Sequence, residues 1–96
     1  MTIGVIATLI VQDGKQAEME AAFQALSERV RANEPGSLTY HLTRSRERPD
    51  LYKVLEIYEG QEALEAHRAS AHFREIGPVL KNCLAAKPEV EYLDGV

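Results

Sequence analysis

Cysteine and tryptophan are almost absent from this sequence of 96 residues, which has one cysteine, Cys83, and no tryptophan. A lone cysteine cannot close a disulfide within the chain, and it has no partner for a Cys-x-x-Cys metal or redox site. Cys83 also falls on an apolar helical stripe, where we expect a small buried hydrophobic residue. The sequence therefore favours a cytoplasmic protein without disulfides.

Positive charge and long apolar runs are also scarce. The chain has 11 Lys and Arg residues against 15 Asp and Glu residues, and its net charge of −4 has the wrong sign for attracting nucleic acid or an anionic membrane surface. The apolar segment 3–11 is too short to span a bilayer, lacks a basic region before it and alternates like a strand. We expect no nucleic-acid partner, no membrane association and no signal peptide.

Nucleotide and metal motifs are missing as well. The sequence has no Gly-x-Gly-x-x-Gly, no phosphate-binding Gly-x-x-x-x-Gly-Lys-Ser/Thr loop and no His-Glu-x-x-His. His67 and His72 are five residues apart, a spacing that would turn them about 140° from each other on a continuous helix. We therefore expect them not to form a metal pair, and we expect no metal site.

The remaining composition, 45% apolar and 27% charged, is that of one ordinary globular domain spanning residues 1–96. Alternating apolar residues predict a first strand over 3–11. Asp13, with Gln16 three residues later, predicts the capped start of a helix. The apolar stripe of that helix is expected to comprise Met19, Ala22, Phe23, Leu26 and Val30.

The helix should end at Glu34-Pro35-Gly36, because Pro35 removes an amide donor and Gly36 permits a positive φ. Beyond this reversal, segments 38–43 and 51–58 alternate as the two strands of a hairpin.

A short helix is predicted over 60–69, and Ser70 can cap a second helical piece. We expect that piece to be interrupted at Gly77-Pro78, as a hinge or a fixed kink. Pro88 opens a last strand with the pattern of a sheet edge.

The order βαββαβ predicts an α+β, ferredoxin-like sandwich with an antiparallel sheet and the helices on one of its faces. The other face would carry an apolar surface larger than a monomer usually exposes to solvent. A homodimer, packed sheet against sheet, would cover it. The residues of that face are Ile6, Ile10, Leu55, Ile57 and Leu93.

His67 shares a helical stripe with Ala63 and Leu64, so its side chain is expected to point toward the sheet. Such an imidazole can act as a general base near neutral pH. The alternative is a buried histidine that only satisfies a backbone carbonyl.

Alternating residues of the hairpin place phenols and one carboxylate on a single sheet face, where they could line an apolar cavity for a small aromatic ligand. Glu56 stands out, because a buried carboxylate needs a donor or a raised pKa. The alternatives are tyrosines that only fill the core and a carboxylate at the surface. The residues of this face are Tyr40, Tyr52, Val54, Glu56 and Tyr58.

Arg44, Arg46 and Arg48 gather in the turn of the hairpin and could hold an anionic group. Glu47 and Asp50 lie among them, so a solvated turn is the simpler interpretation.

Three segments together resemble the antibiotic biosynthesis monooxygenase (ABM) family, most closely its quinol monooxygenases. They are 34–40 (EPGSLTY), 55–58 (LEIY) and 63–73 (ALEAHRASAHF). The resemblance implies a dimeric α+β barrel and oxidation of a small quinol or phenol by dioxygen without flavin, haem or metal. It gives His67 as the catalytic base. The implied substrate-binding residues are Tyr40, Glu56, Tyr58, His72 and Phe73, and Glu34 and Gly36 also match the family's pattern.

Two departures bear on the reaction. Tyr58 stands where many family members have tryptophan, and the haem-degrading relatives use a tryptophan that this chain lacks. Two alternatives stay open, because a fold does not determine a reaction. One is an isomerase of a small phosphorylated carbonyl compound, for which an arginine such as Arg44 should face the cavity. The other is a non-catalytic small-molecule-binding stress-response protein.

Overall fold

The computed structural model describes all residues, Met1–Val96, as four strands and three helices. In chain order the elements are β1 (Ile3–Ile10), α1 (Gln16–Asn33), β2 (Ser37–Arg44), β3 (Leu51–Tyr58), α2 (Gln61–Ala69), α3 (Ala71–Asn82) and β4 (Glu89–Asp94). The strands form one antiparallel sheet in the order β2-β3-β1-β4. The predicted ferredoxin-like α+β fold is confirmed.

The helices cover one face of the sheet. Inward residues of β1 and β3, such as Leu9 and Val54, are buried against Met19 and Phe23 of α1. The predicted stripe is confirmed, since its buried residues are Met19, Phe23, Leu26 and Val30. The opposite face stays uncovered in the protomer: Leu55, Ile57 and Leu93 are 39–41% exposed. No helix has the length and hydrophobicity needed to cross a bilayer.

The predicted Asp13 cap of α1 is wrong. The helix begins at Gln16, and Lys15 occupies the N-cap position without a side-chain capping bond. Asp13 and Gly14 belong instead to a turn, in which Gly14 has a φ of 83° and Lys15 N–H donates to Gln12 O at 3.0 Å. Because Asp13 lies in this turn, it is not at the position that caps α1.

Ser70 separates α2 from α3, as predicted. Its backbone is extended, and its hydroxyl accepts the amide hydrogen of Phe73 at the start of α3. The predicted interruption at Gly77-Pro78 is wrong, because α3 continues through both residues to Asn82. Gly77 has no Cβ to clash with the proline ring, which removes the main steric objection to helical geometry before a proline.

Gly36 is required for a reason other than the predicted one. Gly14 is the only glycine with a positive φ. A Cβ on Gly36 would lie 2.7 Å from the Cβ of Ala63, closer than carbon atoms can approach. The absence of a side chain at Gly36 therefore lets α2 pack against the turn that follows α1.

Candidate functional site

A cavity of about 740 Å³ lies between the inward face of the sheet and helices α2 and α3. Its volume falls in the range typical of small-molecule sites. Most of its wall is apolar: Val5, Ala7, Leu9, Phe23, Val54, Leu64, Phe73, Gly77, Pro78, Leu80, Leu84, Pro88 and Val90. The polar wall residues are Tyr40, Glu56, His67, Arg68, Arg74, Lys81 and Tyr92. The wall thus suits an aromatic ligand with a few polar groups.

The structure brings four of the predicted site residues to this cavity: Tyr40, Glu56, His67 and Phe73. Tyr58 and His72 are buried just behind the wall. Tyr58 contacts the site through Glu56, and His72 contacts it through Glu34. Neither of them lines the cavity in the protomer, so a role in direct substrate contact has no support from this geometry.

Glu34 joins the two histidines. Its carboxylate, at the C-cap of α1, lies 3.1 and 3.0 Å from Nδ1 of His67, and its Oε2 also contacts Nε2 of His72. The side chains of Glu34, His67 and His72 are 8%, 5% and 7% exposed. Burial keeps water from competing for these hydrogen bonds, which strengthens them.

The predicted divergence of His67 and His72 is wrong, because it assumed one continuous helix. The chain breaks at Ser70, and the change of direction between α2 and α3 turns both imidazoles toward Glu34. The signal was present in the sequence, since Ser70 was predicted to cap a new helix. The only sequence signal for Glu34 was its match to the family's pattern, because nothing local shows that the end of α1 meets α2 and α3.

The orientation of His67 follows from its hydrogen bonds. A carboxylate can only accept, so Nδ1 of His67 carries the hydrogen and Nε2 keeps its lone pair. Nε2 has no hydrogen-bond partner within the chain, and it is not sealed from the adjoining cavity. Burial lowers the pKa of His67 below its ordinary value, although Glu34 opposes the shift. His67 is therefore neutral near pH 7 and able to accept a proton.

Three aromatic rings hold the imidazole of His67 in place. The ring centroids of Phe73, Tyr40 and Tyr58 lie 5.0, 5.1 and 5.5 Å from that of His67. Tyr40 is stacked in turn on Phe23 at 5.0 Å. Burial raises the pKa of the Tyr40 hydroxyl above its ordinary value. Tyr40 therefore stays protonated and can donate a hydrogen bond to a ligand oxygen.

Glu56 and Tyr58 form a second polar pair. The hydroxyl of Tyr58 donates to Oε1 of Glu56 at 2.5 Å, which supplies the donor that a buried carboxylate needs. Burial raises the pKa of Glu56 to about 7, although the Tyr58 hydrogen bond opposes the shift. Burial and the charge of Glu56 raise the pKa of Tyr58 above its ordinary value. Near neutral pH the cavity thus has a neutral base, His67, and a partly protonated acid, Glu56.

The arginines of the hairpin turn do not reach the cavity. Arg44 lies 3.8 Å from Glu20, and Arg48 lies 3.1 Å from Asp50. The expectation that an arginine such as Arg44 faces the cavity is therefore wrong for Arg44. Two other arginines, Arg68 and Arg74, line the cavity instead.

Glu34, His67 and His72 are also the donor types that bind divalent cations. One potential ligand atom from each lies within 4.8 Å of the others. In the structure Nδ1 of His67 and Nε2 of His72 both hydrogen-bond to Glu34, so these three groups have partners without a cation.

Comparison with known proteins agrees with this architecture. A family model described as antibiotic biosynthesis monooxygenase matches residues 2–78. A Caulobacter crescentus structure, provisionally named an antibiotic biosynthesis monooxygenase, is 46% identical, with a TM-score of 0.96, and the alignment covers 99% of this chain and 90% of that one. Among curated proteins no relative matches.

Two further structures have the same fold. A conserved protein from Methanosarcina mazei is 29% identical, with a TM-score of 0.92, and the alignment covers 97% of this chain and 91% of that one. A Bordetella bronchiseptica protein, provisionally named an antibiotic biosynthesis monooxygenase, is 28% identical, with a TM-score of 0.84, and the alignment covers 99% of this chain and 97% of that one.

Proposed function

This chain belongs to the antibiotic biosynthesis monooxygenase family, and we propose that it oxidises a small quinol with dioxygen, using His67 as general base and no flavin, haem or metal. The family and its monooxygenase-named relatives support the type of reaction. The observation that carries the residue assignment is the pairing of His67 with Glu34: Nδ1 is held by a buried carboxylate, and Nε2 is left free beside an apolar cavity.

The chemistry needs only a base, a pocket and stabilisation of charge. His67 Nε2 takes a hydroxyl proton from the quinol, and the quinolate is electron-rich enough to reduce dioxygen. A carbon–oxygen bond forms at the ring, and loss of water cleaves the O–O bond and removes the ring hydrogen. The product is a hydroxyquinone, one oxygen atom leaves as water, and the substrate supplies all four electrons.

The residues around His67 have separate roles in this proposal. Glu34 orients His67 and stabilises the imidazolium that forms when His67 accepts the proton. Tyr40 donates a hydrogen bond to a substrate oxygen, and Phe73 packs against the ring. Protonated Glu56 can return a proton to reduced oxygen, and Tyr58 positions Glu56. His72 acts from behind the wall by fixing Glu34.

Oxygen uptake tests the proposal. Chelator-treated protein should consume dioxygen with a panel of hydroquinones above the autoxidation background. His67→Gln should lower the rate by about 100-fold, as expected for loss of a general base. His41→Gln is the matched control, because His41 is an exposed histidine of β2. A full rate in His67→Gln would show that His67 is not the base, and a rate that appears only with added metal would overturn the metal-free reaction.

The isomerase alternative retains support through Arg68 and Arg74, which line the cavity and could hold a phosphate. It predicts conversion of a small phosphorylated carbonyl compound without oxygen uptake. Ligand binding without turnover of either substrate class would favour the non-catalytic alternative.

We also propose that two copies pair through the uncovered face of the sheet. The support is the apolar surface of that face, where Leu55, Ile57 and Leu93 are exposed. Soluble proteins tend to bury such patches in symmetric contacts.

A further inference from the structure

The cations that line the cavity stand out in a chain with a net charge of −4. Arg68 of α2 and Arg74 and Lys81 of α3 all contribute to the wall, whereas Glu56 is the only carboxylate there. Burial favours the neutral form of Glu56, so its charge offsets these cations only in part. The helix side of the cavity therefore has an excess of positive charge.

None of the three cations is neutralised within the chain. Arg68, Arg74 and Lys81 have no carboxylate within 4.0 Å. Elsewhere in the protein, four cations do have such a partner: Lys15, Arg29, Arg44 and Arg48. The unpaired cations of the wall are thus available to a ligand.

The local structure keeps the space between these cations open. Arg74 and Lys81 are seven residues apart, which places them on the same side of α3 two turns from each other. Gly77 and Pro78 lie between them and also line the cavity. A Cβ on Gly77 would meet no atom within 4 Å, so the wall has free space there. At the Gly77-Pro78 pair, α3 therefore presents no bulky side chain between the two positive charges.

Arg68 is held at the edge of the sheet. Its guanidinium donates a hydrogen bond to the hydroxyl of Tyr92, and its Cζ lies 4.9 Å from the centroid of that ring. Tyr92 accepts through one oxygen, so other N–H groups of the fork remain free to bind an anion. Arg68 lines the same cavity as His67, and its charge contributes to the lowered pKa of His67, so the anchored cation lies near the proposed base.

We propose that the substrate is an aromatic compound bearing an anionic group, a carboxylate or a phosphate, which Arg68, Arg74 and Lys81 hold while the ring lies beside His67. Arginine binds both groups through paired charge-assisted hydrogen bonds, and lysine adds a point charge. The ring chemistry rests on the proposed function, whereas recognition of the anion does not require turnover.

Calorimetry with unreactive probes tests this proposal. The probes are 4-methoxybenzoate, its neutral analogue 4-methoxybenzamide, and phenyl phosphate, none of which has a free phenol to oxidise. We expect at least one anion to bind about tenfold more tightly than the amide, and the preference to weaken as salt is raised. The two anions distinguish a carboxylate from a phosphate as the recognised group. Equal affinity for the amide and both anions would overturn the proposal.

Variants that remove positive charge test which residues cause the preference for the anion. Arg74→Gln combined with Lys81→Gln should reduce the preference for the anion to less than about threefold, and both side chains are exposed, so the fold should be retained. Arg46→Gln is the matched control, because Arg46 is an exposed arginine outside the cavity. A preference that survives both in the double variant and in its combination with Arg68→Gln would overturn the proposal.

The outcomes separate this proposal from the proposed function. An anion preference without oxygen uptake would support the binding site and reject the oxygenase. Uptake with neutral quinols and no anion preference would support the oxygenase and reject the binding site.

Discussion

Glu34 accepts a hydrogen bond from Nδ1 of His67, which is 33 positions further along the chain, and the closer of its two contacts is 3.0 Å long. The contact joins the end of α1 to α2 and fixes which nitrogen of His67 is free. Because both side chains are more than nine-tenths buried, neither group can exchange this partner for water without opening the packing around α2.

Glu34→Gln should lower kcat by about 10- to 100-fold while changing KM little, because an amide can present N–H to His67 and place the imidazole in the wrong tautomer. Steady-state oxygen uptake with a hydroquinone provides the measurement. Glu28→Gln, an exposed carboxylate on the same helix, should behave as the wild type. An unchanged kcat in Glu34→Gln would remove the role assigned to this carboxylate.

The pH dependence of the rate should reflect the lowered pKa of His67. The base form predominates above a pKa that lies below the ordinary 6.5, so kcat/KM should rise from acidic pH with a midpoint below 6.5. Rates between pH 4.5 and 8 would show this profile. A midpoint above 6.5 would mean that His67 is stabilised as the cation.

The lowered pKa of His67 also determines how the stability of the fold changes with pH. Between the lowered pKa and 6.5 the folded chain binds fewer protons at His67 than the unfolded chain, so this residue's contribution to stability is present above pH 6.5 and lost as the pH falls through the folded pKa.

Glu56 should have the opposite effect on stability. Its pKa rises from 4.5 to about 7, so the folded chain binds more protons there, and stability falls as the pH rises through that range. Glu56→Gln keeps an acceptor for Tyr58 without the charge. At pH 8 the free energy of unfolding of this variant should be about 2 kcal/mol higher than that of the wild type, and at pH 4.5 the difference should vanish. Urea unfolding at both pH values measures the difference, and equal differences would contradict the raised pKa.

Gly36→Ala should destabilise the protein by about 1–3 kcal/mol, because the new Cβ would lie 2.7 Å from Ala63 and push α2 away from the turn after α1. Gly60→Ala is a suitable control, since its Cβ would make only an ordinary contact of 3.7 Å with Met1 O. Thermal unfolding compares the two. A smaller loss in Gly36→Ala than in Gly60→Ala would show that the packing of α2 can relax.

Ile57→Glu should convert the proposed dimer into a monomer without unfolding it, because Ile57 is 40% exposed on the uncovered face of the sheet. Sedimentation equilibrium would show the loss of the dimer mass. Lys53→Glu, on the same strand and face, is the matched control, and it should leave the dimer intact if apolar contact rather than charge holds the copies together. A monomeric wild type would reject this interface.

Local pattern determined the elements of this protein, since periodicity and capping depend on residues a few positions apart. The alternation in β1 and β3, the stripe of α1, the cap at Ser70 and the inward position of His67 could all be predicted from the sequence. Where a local rule failed, a neighbouring residue changed the balance: Gly14 drew Asp13 into a turn, and Gly77 let Pro78 stay within α3.

The site itself was decided by tertiary structure. Glu34 meets His67 and His72 only because α1 ends beside the break between α2 and α3, and the angle at that break depends on how both helices pack on the sheet. The grouping of Arg68, Arg74 and Lys81 around one cavity has the same origin. Residue spacing along one helix sets directions relative to that helix, whereas the convergence of separate elements depends on long-range packing that no local pattern contains.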